Sequence, residues 1–276
     1  MVEDYKFGVL HAFNGINGGT YDAIEFAYTL NLIDKTKLIL YRNNKKYSIN
    51  QIKLIILDII HKKYTASMNF DIEIIDNIKI DRNKYKSLLF IDADSISKIP
   101  IYSANKYIIL ADPYMPIIKN YFKYNTLPNV YTFNEMPFFP APINYKFKFA
   151  FNIYKKYNEL EDNTLISYKE LLPFEFKHQM ILINNKTNEH KELIWPVEDF
   201  HSKFNKYIYN NINYFDPRPR MFHECVFHGI NINDITRNIK VENYDGAYYR
   251  ILDLKNNGLN DRYLDINDEV IQVMIN

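Results

Sequence analysis

Cysteine is almost missing from this chain of 276 residues, since Cys225 is the only one. A single thiol cannot form an intramolecular disulfide or build a cysteine metal site, and this predicts a reducing compartment such as the cytoplasm. No stretch approaches the roughly 20 apolar residues of a membrane helix. The first residues also lack the basic start and apolar run of a secretory signal. We therefore expect a soluble, unprocessed protein with no membrane partner.

An excess of charge of either sign is also lacking. Lys and Arg number 34 against 33 Asp and Glu, and the pI is about 7.7. No global field marks the chain as a nucleic-acid or membrane-surface protein, so any such partner must be held by a local patch. The residues that are present favour a packed core, because 47% are hydrophobic and only 24% are charged.

Short apolar runs alternate with helical patterns in the first half of the chain. This alternation is typical of a parallel sheet with helices packed on its faces. The predicted strands are residues 5–10, 37–41, 71–75, 87–91 and 107–111. Thr20 is predicted to cap a helix that extends to about Leu30. Ser48 is predicted to cap a second helix, whose apolar stripe comprises Ile52, Ile55, Ile56 and Ile59.

The proline-rich segment 137–142 divides the chain. It has three prolines in six residues, which cannot continue a helix or a central strand. We predict an N-terminal domain at 1–140 and a C-terminal domain at 141–276. In the second half we expect a strand at 179–183, a helix at 197–207 and a helix from Pro219. The predicted fold class is α/β, with two Rossmann-like αβ domains.

A glycine-rich loop follows the first predicted strand. Gly15, Gly18 and Gly19 lie there, three of the 7 glycines in the chain. A loop that feeds a helix N-terminus presents free N–H groups to an anion or a sugar hydroxyl. A tight strand-to-helix turn would also explain the glycines. The spacing fits neither the dinucleotide-binding nor the P-loop fingerprint.

Two arginines flank Pro219 at the start of a predicted helix. The residue before a proline avoids the α region, so Arg218 should precede the helix and Pro219 should take its first position. Arginines there oppose the helix dipole, and a bound phosphate or diphosphate would resolve the conflict. Arg220 and Glu224 should share one helix face, away from a buried stripe. An exposed Arg220–Glu224 ion pair is the alternative interpretation. The predicted stripe comprises Met221, Phe222, Cys225, Val226 and Gly229.

The arginine-led helix with its Glu-x-x-x-x-Gly pattern, together with the glycine loop, resembles the GT-B glycosyltransferases. The segments G-G-T-Y-D at 18–22, D-P-R-P-R at 216–220 and D-G-A-Y-Y-R at 245–250 are similar to those of small phage-encoded glycosyltransferases. Some of those enzymes glycosylate hydroxymethylated pyrimidines in phage DNA. The resemblance implies two facing Rossmann-like domains with a cleft between them, the acceptor on the 1–140 side and the nucleotide-sugar on the 141–276 side.

The same resemblance implies roles for individual residues. Glu224 would hold the ribose hydroxyls of the donor, while Arg218 and Arg220 would hold its diphosphate. Gly18 and Gly19 would line the cleft from the first domain. The segment 245–250 is typical of a turn that enters a strand, and its functional interpretation places Asp245 or Tyr248 against the donor.

A second acidic motif, Asp92-Ala93-Asp94, follows the predicted strand 87–91. It resembles the D-x-D of GT-A glycosyltransferases, whose carboxylates hold Mg²⁺ or Mn²⁺ against the sugar diphosphate. If the GT-B interpretation holds, no metal is essential, and Asp92 or Asp94 is a candidate base for the acceptor hydroxyl. Asp22 and His11, which flank the glycine loop, are competing candidates.

The predicted activity is transfer of a sugar from a nucleotide-sugar, a UDP-sugar in the first instance, to a hydroxyl acceptor. A hydroxymethylated base in phage DNA is one candidate acceptor, in which case the enzyme would work in the host cytoplasm. Two other classes stay open: a non-catalytic binder of nucleotides or saccharides, and a DNA-associated protein without transferase chemistry.

Overall fold

A computed structural model gives the fold of the chain. It describes residues 5–42, 45–76, 84–91, 107–111, 130–133, 144–145, 148–172, 175–194, 197–212, 220–237, 256, 258–259 and 263–276. The chain divides into two compact units. The first comprises Met1–Ile60, Ala66–Ile153 and Arg262–Asn276, and the second comprises His61–Thr65 and Tyr154–Asp261. The predicted boundary at residues 140 and 141 lies outside the described residues.

The first unit is built on a seven-stranded parallel sheet with the order β3-β2-β1-β4-β5-β6-β7. Its strands are β1 (Tyr5–Phe13), β2 (Thr36–Arg42), β3 (Asp71–Ile75), β4 (Tyr85–Ile91), β5 (Tyr107–Ala111), β6 (Val130–Phe133) and β7 (Asn144–Tyr145). All five strands predicted for this half are present. The order β3-β2-β1-β4-β5 is that of a Rossmann-like sheet.

Two helices that connect the first strands are α1 (Gly18–Asn31) and α2 (Ile49–Lys63). The predicted cap of α1 was wrong, because Asn17 is the N-cap and its Oδ1 accepts from the Thr20 backbone N–H at 3.0 Å. An asparagine in extended backbone satisfies a free N–H of the first turn well, so the helix begins before Thr20. Ser48 does cap α2, in a reciprocal pair of hydrogen bonds with Gln51 at 3.2 and 2.7 Å.

Strand β1 is buried in the middle of the sheet, and helix α2 buries one apolar face. Strand β1 lies between β2 and β4 and is buried along almost its whole length. At Gly8 a Cβ would come within 2.6 Å of Leu88 Cδ2 and 2.9 Å of the Tyr85 ring, so glycine is needed for space. On α2, the predicted stripe is confirmed at Ile52, Ile56 and Ile59, which are buried, while Ile55 is half-buried.

The C-terminal residues also belong to the first unit. They form helix α4 (Glu269–Ile275), whose N-cap is Asp268. The Asp268 carboxylate accepts from the Tyr145 hydroxyl at 2.8 Å and forms an ion pair with Lys148 at 3.1 Å. At the other end of the helix, Ser87 Oγ in β4 donates to the Met274 carbonyl at 2.9 Å. These contacts fasten α4 to the parallel sheet.

The second unit contains a five-stranded mixed sheet with the order β10-β9-β8-β11-β12. Strands β8, β11 and β12 are parallel, whereas β9 is antiparallel to β8 and β10 is antiparallel to β9. The strands are β8 (Asn163–Leu172), β9 (Glu175–Asn184), β10 (His190–Glu192), β11 (Lys206–Ile212) and β12 (Asn231–Arg237), and helix α3 (Arg220–His228) lies between the last two. The α/β class is confirmed, and the predicted strand 179–183 lies within β9.

The helix predicted at 197–207 was wrong. The chain instead forms a short 3₁₀ turn at Phe200–Lys203 and then enters β11. Phe200 and Phe204 are both buried, and their spacing of four residues gave the false helical pattern. Tyr207 and Tyr209 are buried at a spacing of two, which is the period of a strand.

Across the described residues, no helix is long and apolar enough to span a lipid bilayer.

Candidate functional site

The carboxyl edge of the first sheet has the topology of a ligand crevice. Strand order reverses between β1 and β4, and open α/β sheets bind ligands outside the carboxyl ends of their strands at such a point. Strand β1 ends at Phe13 and β4 ends at Ile91. The glycine loop follows the first of these ends, and Asp92 follows the second in the sequence. The sequence-predicted loop and acidic motif are therefore attached to neighbouring strands.

The glycines of this edge differ in what the fold requires of them. Gly15 has a φ of 139°, a backbone conformation that favours glycine. Gly18 and Gly19 form the first turn of α1. Gly19 is buried, but a Cβ on Gly18 would meet no atom within 4 Å. The fold therefore does not need glycine at position 18, and the space beside it would let a ligand approach the backbone.

His11 connects the two strand ends. Its Nδ1 lies 3.4 Å from the Ile91 carbonyl, and its Nε2 lies 3.3 Å from Thr20 Oγ1, which contacts the Gly15 carbonyl at 3.1 Å. His11 is buried, and it sits opposite Ile91 in the register of β1 and β4. This geometry suits a residue that holds the loop against β4 better than a base that meets an acceptor.

Several predicted residues cannot be placed at this edge. Asp22 is the exception among the acidic candidates, because it is described, and its side chain is buried in α1. The other acidic candidates, Asp92 and Asp94, and the donor-side residues Arg218, Asp245 and Tyr248 lie outside the described residues. In the part of the chain that is described, no three His, Cys, Asp or Glu side chains are grouped so as to hold a metal ion.

Arg220 and Glu224 lie together in the second unit. Arg220 is the first residue of α3, and its Nε donates to Glu224 Oε1 at 2.8 Å. The two residues do form the ion pair of the alternative interpretation, but both are buried, so the pair is not exposed. Phe222 and Cys225 are buried as predicted, but Gly229 is exposed, with a φ of 75° that ends the helix. Helix α3 is thus enclosed on more than one side.

Two partners of Glu224 were missed by the sequence analysis. Lys63, the last residue of α2, donates from Nζ to Glu224 Oε1 at 2.7 Å. His201 Nε2 lies 3.0 Å from Oε2, but it is not aligned for a hydrogen bond. Burial raises the pKa of Glu224, and the nearby Lys63, His201 and Arg220 outweigh it, so the pKa lies well below its usual value. Glu224 is therefore ionised.

The face of Tyr154 supports the same cations. Lys63 Nζ lies 5.0 Å from the centroid of the Tyr154 ring, and Arg220 Cζ lies 5.9 Å from it. An Arg220 Nη2 group also donates to the Tyr154 hydroxyl. The ring itself is packed edge-on against Tyr64 and Phe227. Lys63, Tyr154 and Arg220 lie far apart in sequence, and no spacing rule could have predicted their contact.

A stacked pair of histidines adjoins this cluster. The rings of His201 and His228 are 4.5 Å apart and inclined by 20°. The Tyr157 ring also packs against His228, with 5.4 Å between the ring centroids, and its hydroxyl donates to Asp199 at 2.9 Å. His228 is buried, as is His223 on the same helix.

The histidine pair makes the second unit sensitive to acid. Burial lowers the pKa of His201, and burial together with His201 lowers that of His228 to about 3. An unfolded histidine binds its proton below about pH 6.5, so the unfolded chain holds more protons than the folded one between these values. His228 therefore contributes its full stability above about pH 6.5, and this contribution falls by at most ~1.4 kcal/mol per pH unit as the pH drops toward 3. The lowered pKa of His201 acts in the same direction. The charged groups around the pair are Lys63, Lys156, Arg220 and Glu224.

Chemical denaturation between pH 4 and 8 measures this slope. We expect His228→Gln to make the free energy of unfolding less dependent on pH, since one of the two histidines with a lowered pKa is removed. His190→Gln is the matched control, because His190 lies exposed on β10. Equal slopes in the wild type and in His228→Gln would contradict the prediction.

Comparison of the chain with protein-family models, curated proteins and solved structures finds no match to any of them.

Proposed function

We propose that this protein is a glycosyltransferase that moves a sugar from a nucleotide-sugar, a UDP-sugar in the first instance, to a hydroxyl acceptor. The observation that carries the proposal is the crevice topology of the first sheet, with the glycine loop after β1 and Asp92 directly after β4. The likeness of the 18–22 and 216–220 segments to glycosyltransferases supplies the reaction class.

The proposed arrangement is of the GT-B type. The first unit takes the acceptor, and Asp92 or Asp94 removes its proton, with Asp22 as the competing base. The donor diphosphate is neutralised by Arg218 and Arg220, so the reaction needs no essential metal. Gly18, Gly19 and Tyr248 complete the donor contacts, and a hydroxymethylated base in phage DNA is the proposed acceptor.

A metal-dependent GT-A mechanism that uses Asp92 and Asp94 as metal ligands is the second candidate. One observation disfavours it relative to the GT-B type: β5 lies beside β4 and parallel to it, so the sheet continues as a Rossmann-like sheet beyond the acidic motif. A non-catalytic nucleotide or saccharide binder would use the same crevice without turnover.

Thermal shift separates these candidates. The purified protein is heated with UDP-, GDP-, CMP- and TDP-sugars, each with EDTA and with Mn²⁺; a ligand at 100 times its Kd stabilises by about 2.7 kcal/mol. We expect one donor to raise the Tm in EDTA. Release of nucleotide on hydroxymethylated DNA, compared with unmodified DNA, then tests transfer. Asp94→Asn should lower turnover by roughly 10²–10⁴-fold and retain the donor shift if Asp94 is the base.

Other outcomes would redirect the assignment. A shift that requires Mn²⁺ and is lost in Asp94→Asn would favour the GT-A mechanism. Donor binding without release on any acceptor would favour a binding protein. The absence of a shift with every nucleotide-sugar would contradict the transferase proposal.

A further inference from the structure

The carboxylate of Glu224 is engaged by side chains of the protein itself. Lys63 Nζ and Arg220 Nε both approach Oε1, at 2.7 and 2.8 Å, and His201 Nε2 lies 3.0 Å from Oε2. The Glu224 side chain is only 4% exposed. With so little of this side chain exposed, a ribose hydroxyl could reach the carboxylate only if one of the groups that enclose it moved. The geometry therefore disfavours the ribose-binding role that the sequence resemblance implies.

The two cations are held close together by this one oxygen. Like charges repel strongly in a poorly hydrated environment, and an anion placed between them offsets that repulsion. Tyr154 adds a second constraint, because both cations also lie over its ring. Lys63 and Arg220 are thus fixed side by side at the start of α3 rather than free to move.

We infer that Glu224 is a positioning residue that holds Lys63 and Arg220 together, and that these two cations bind the diphosphate group of the donor. Lys63 is then a binding residue contributed by α2, far in sequence from the arginine-led segment. That the diphosphate belongs to a nucleotide-sugar rests on the proposed function, whereas the diphosphate site itself does not.

The chemistry of the pair suits this ligand. Guanidinium and ammonium groups both bind phosphate oxygens, the first as a planar fork and the second as a compact charge. The backbone N–H groups at the start of α3 lie beside Arg220 and favour an anion. The side chains of Lys63 and Arg220 keep 11% and 9% of their surface exposed, so a ligand would reach them from that exposed side.

Titration calorimetry with inorganic pyrophosphate tests the inference without any need for transferase activity. We expect wild-type protein to bind pyrophosphate, Lys63→Gln to bind it at least tenfold more weakly, and Lys63→Arg to stay within a few-fold of wild type. Lys203→Gln is the matched control, since Lys203 forms a surface ion pair with Glu161 in the same unit, and it should leave the affinity unchanged.

Glu224→Gln distinguishes positioning from ribose binding. If Glu224 positions the cations, the affinities for pyrophosphate and for the nucleotide-sugar fall by the same factor. A loss confined to the nucleotide-sugar would overturn the inference and restore the ribose role. Circular dichroism melts establish whether each variant is folded. If Glu224→Gln does not fold, the two Lys63 variants still test whether the cations bind pyrophosphate.

Two further results would also be decisive. Undiminished pyrophosphate binding by folded Lys63→Gln, or no binding by the wild type, would overturn the diphosphate site. Pyrophosphate binding that depends on Lys63, in a protein that binds no nucleotide-sugar, would support the site while the glycosyltransferase proposal fails.

Discussion

Glu224→Ala is expected to lower the free energy of unfolding of the second unit by about 3–5 kcal/mol. Removing one partner of a buried ion pair leaves the other charge buried without its counterion, and the cost has this magnitude. In this protein the variant takes the shared carboxylate from both Lys63 and Arg220. Urea denaturation followed by tyrosine fluorescence and circular dichroism would measure the loss.

A surface pair in the same unit provides the control. Glu161 forms an ion pair with Lys203 at 3.0 Å, but the two side chains are 51% and 37% exposed. Surface pairs contribute about 0–1 kcal/mol, so Glu161→Ala should have only a small effect. Equal losses for Glu161→Ala and Glu224→Ala would show that the buried cluster is not what stabilises the unit.

Asp268→Ala should destabilise the first unit by about 2–4 kcal/mol. The fully buried carboxylate caps α4 through the N–H groups of Val270 and Ile271, and it also accepts from Tyr145 and pairs with Lys148. Loss of an N-cap costs about 0.5–2 kcal/mol, and an unsatisfied buried polar group costs about 1–3 kcal/mol more. Hydrogen exchange of the α4 amides would locate the effect, and urea denaturation would measure it.

Asp268→Asn is the matched variant. Asparagine also caps helices well, so its one carbonyl can keep the hydrogen bonds to Val270 and Ile271, whereas its NH2 group replaces the oxygen that accepts from Tyr145 and pairs with Lys148. We expect Asp268→Asn to cost distinctly less than Asp268→Ala. If both variants were as stable as the wild type, the anchoring of α4 would have to depend on its apolar face alone.

Five strands of the first sheet were predictable because most of them are short apolar runs and helical patterns separate the first of them. Residues 71–75 and 107–111 were predicted to the residue, and the Ser48 cap of α2 followed from local chemistry. Such signals depend on neighbours in sequence, where the period of burial and the chemistry of capping are both visible.

The second unit was predicted less well because its burial pattern is ambiguous. Phe200 and Phe204 have helical spacing, yet Phe200 begins a 3₁₀ turn and Phe204 follows it in extended backbone. The antiparallel pairing of β8 with β9 and of β9 with β10 depends on pairing register, which no single-strand pattern shows. The five-stranded mixed sheet of the second unit therefore differs from the second Rossmann-like sheet that the resemblance implied. The GT-B arrangement of the two units stays a prediction.

The candidate site also combines features that follow from neighbours in sequence with contacts between residues that are distant in sequence. The placement of the glycine loop at a helix start and the contact of Arg220 with Glu224 followed from local spacing. Lys63 is 161 residues from Glu224, and His201 reaches the cluster from a turn that was predicted to be helix. A buried carboxylate attracts cations from any part of the chain, and only the folded structure identifies which ones.

The return of residues 263–276 to the first unit has a consequence for how the protein is made. A ribosome adds about 5–20 residues per second from the N-terminus, and a domain can finish folding only when all its parts have been synthesised. Because Asp268 and α4 complete the first unit, a nascent chain that ends before them holds β1–β7 without their closing helix. The first unit to be started is thus completed only after Asp261, the last residue of the second unit, has been added to the chain.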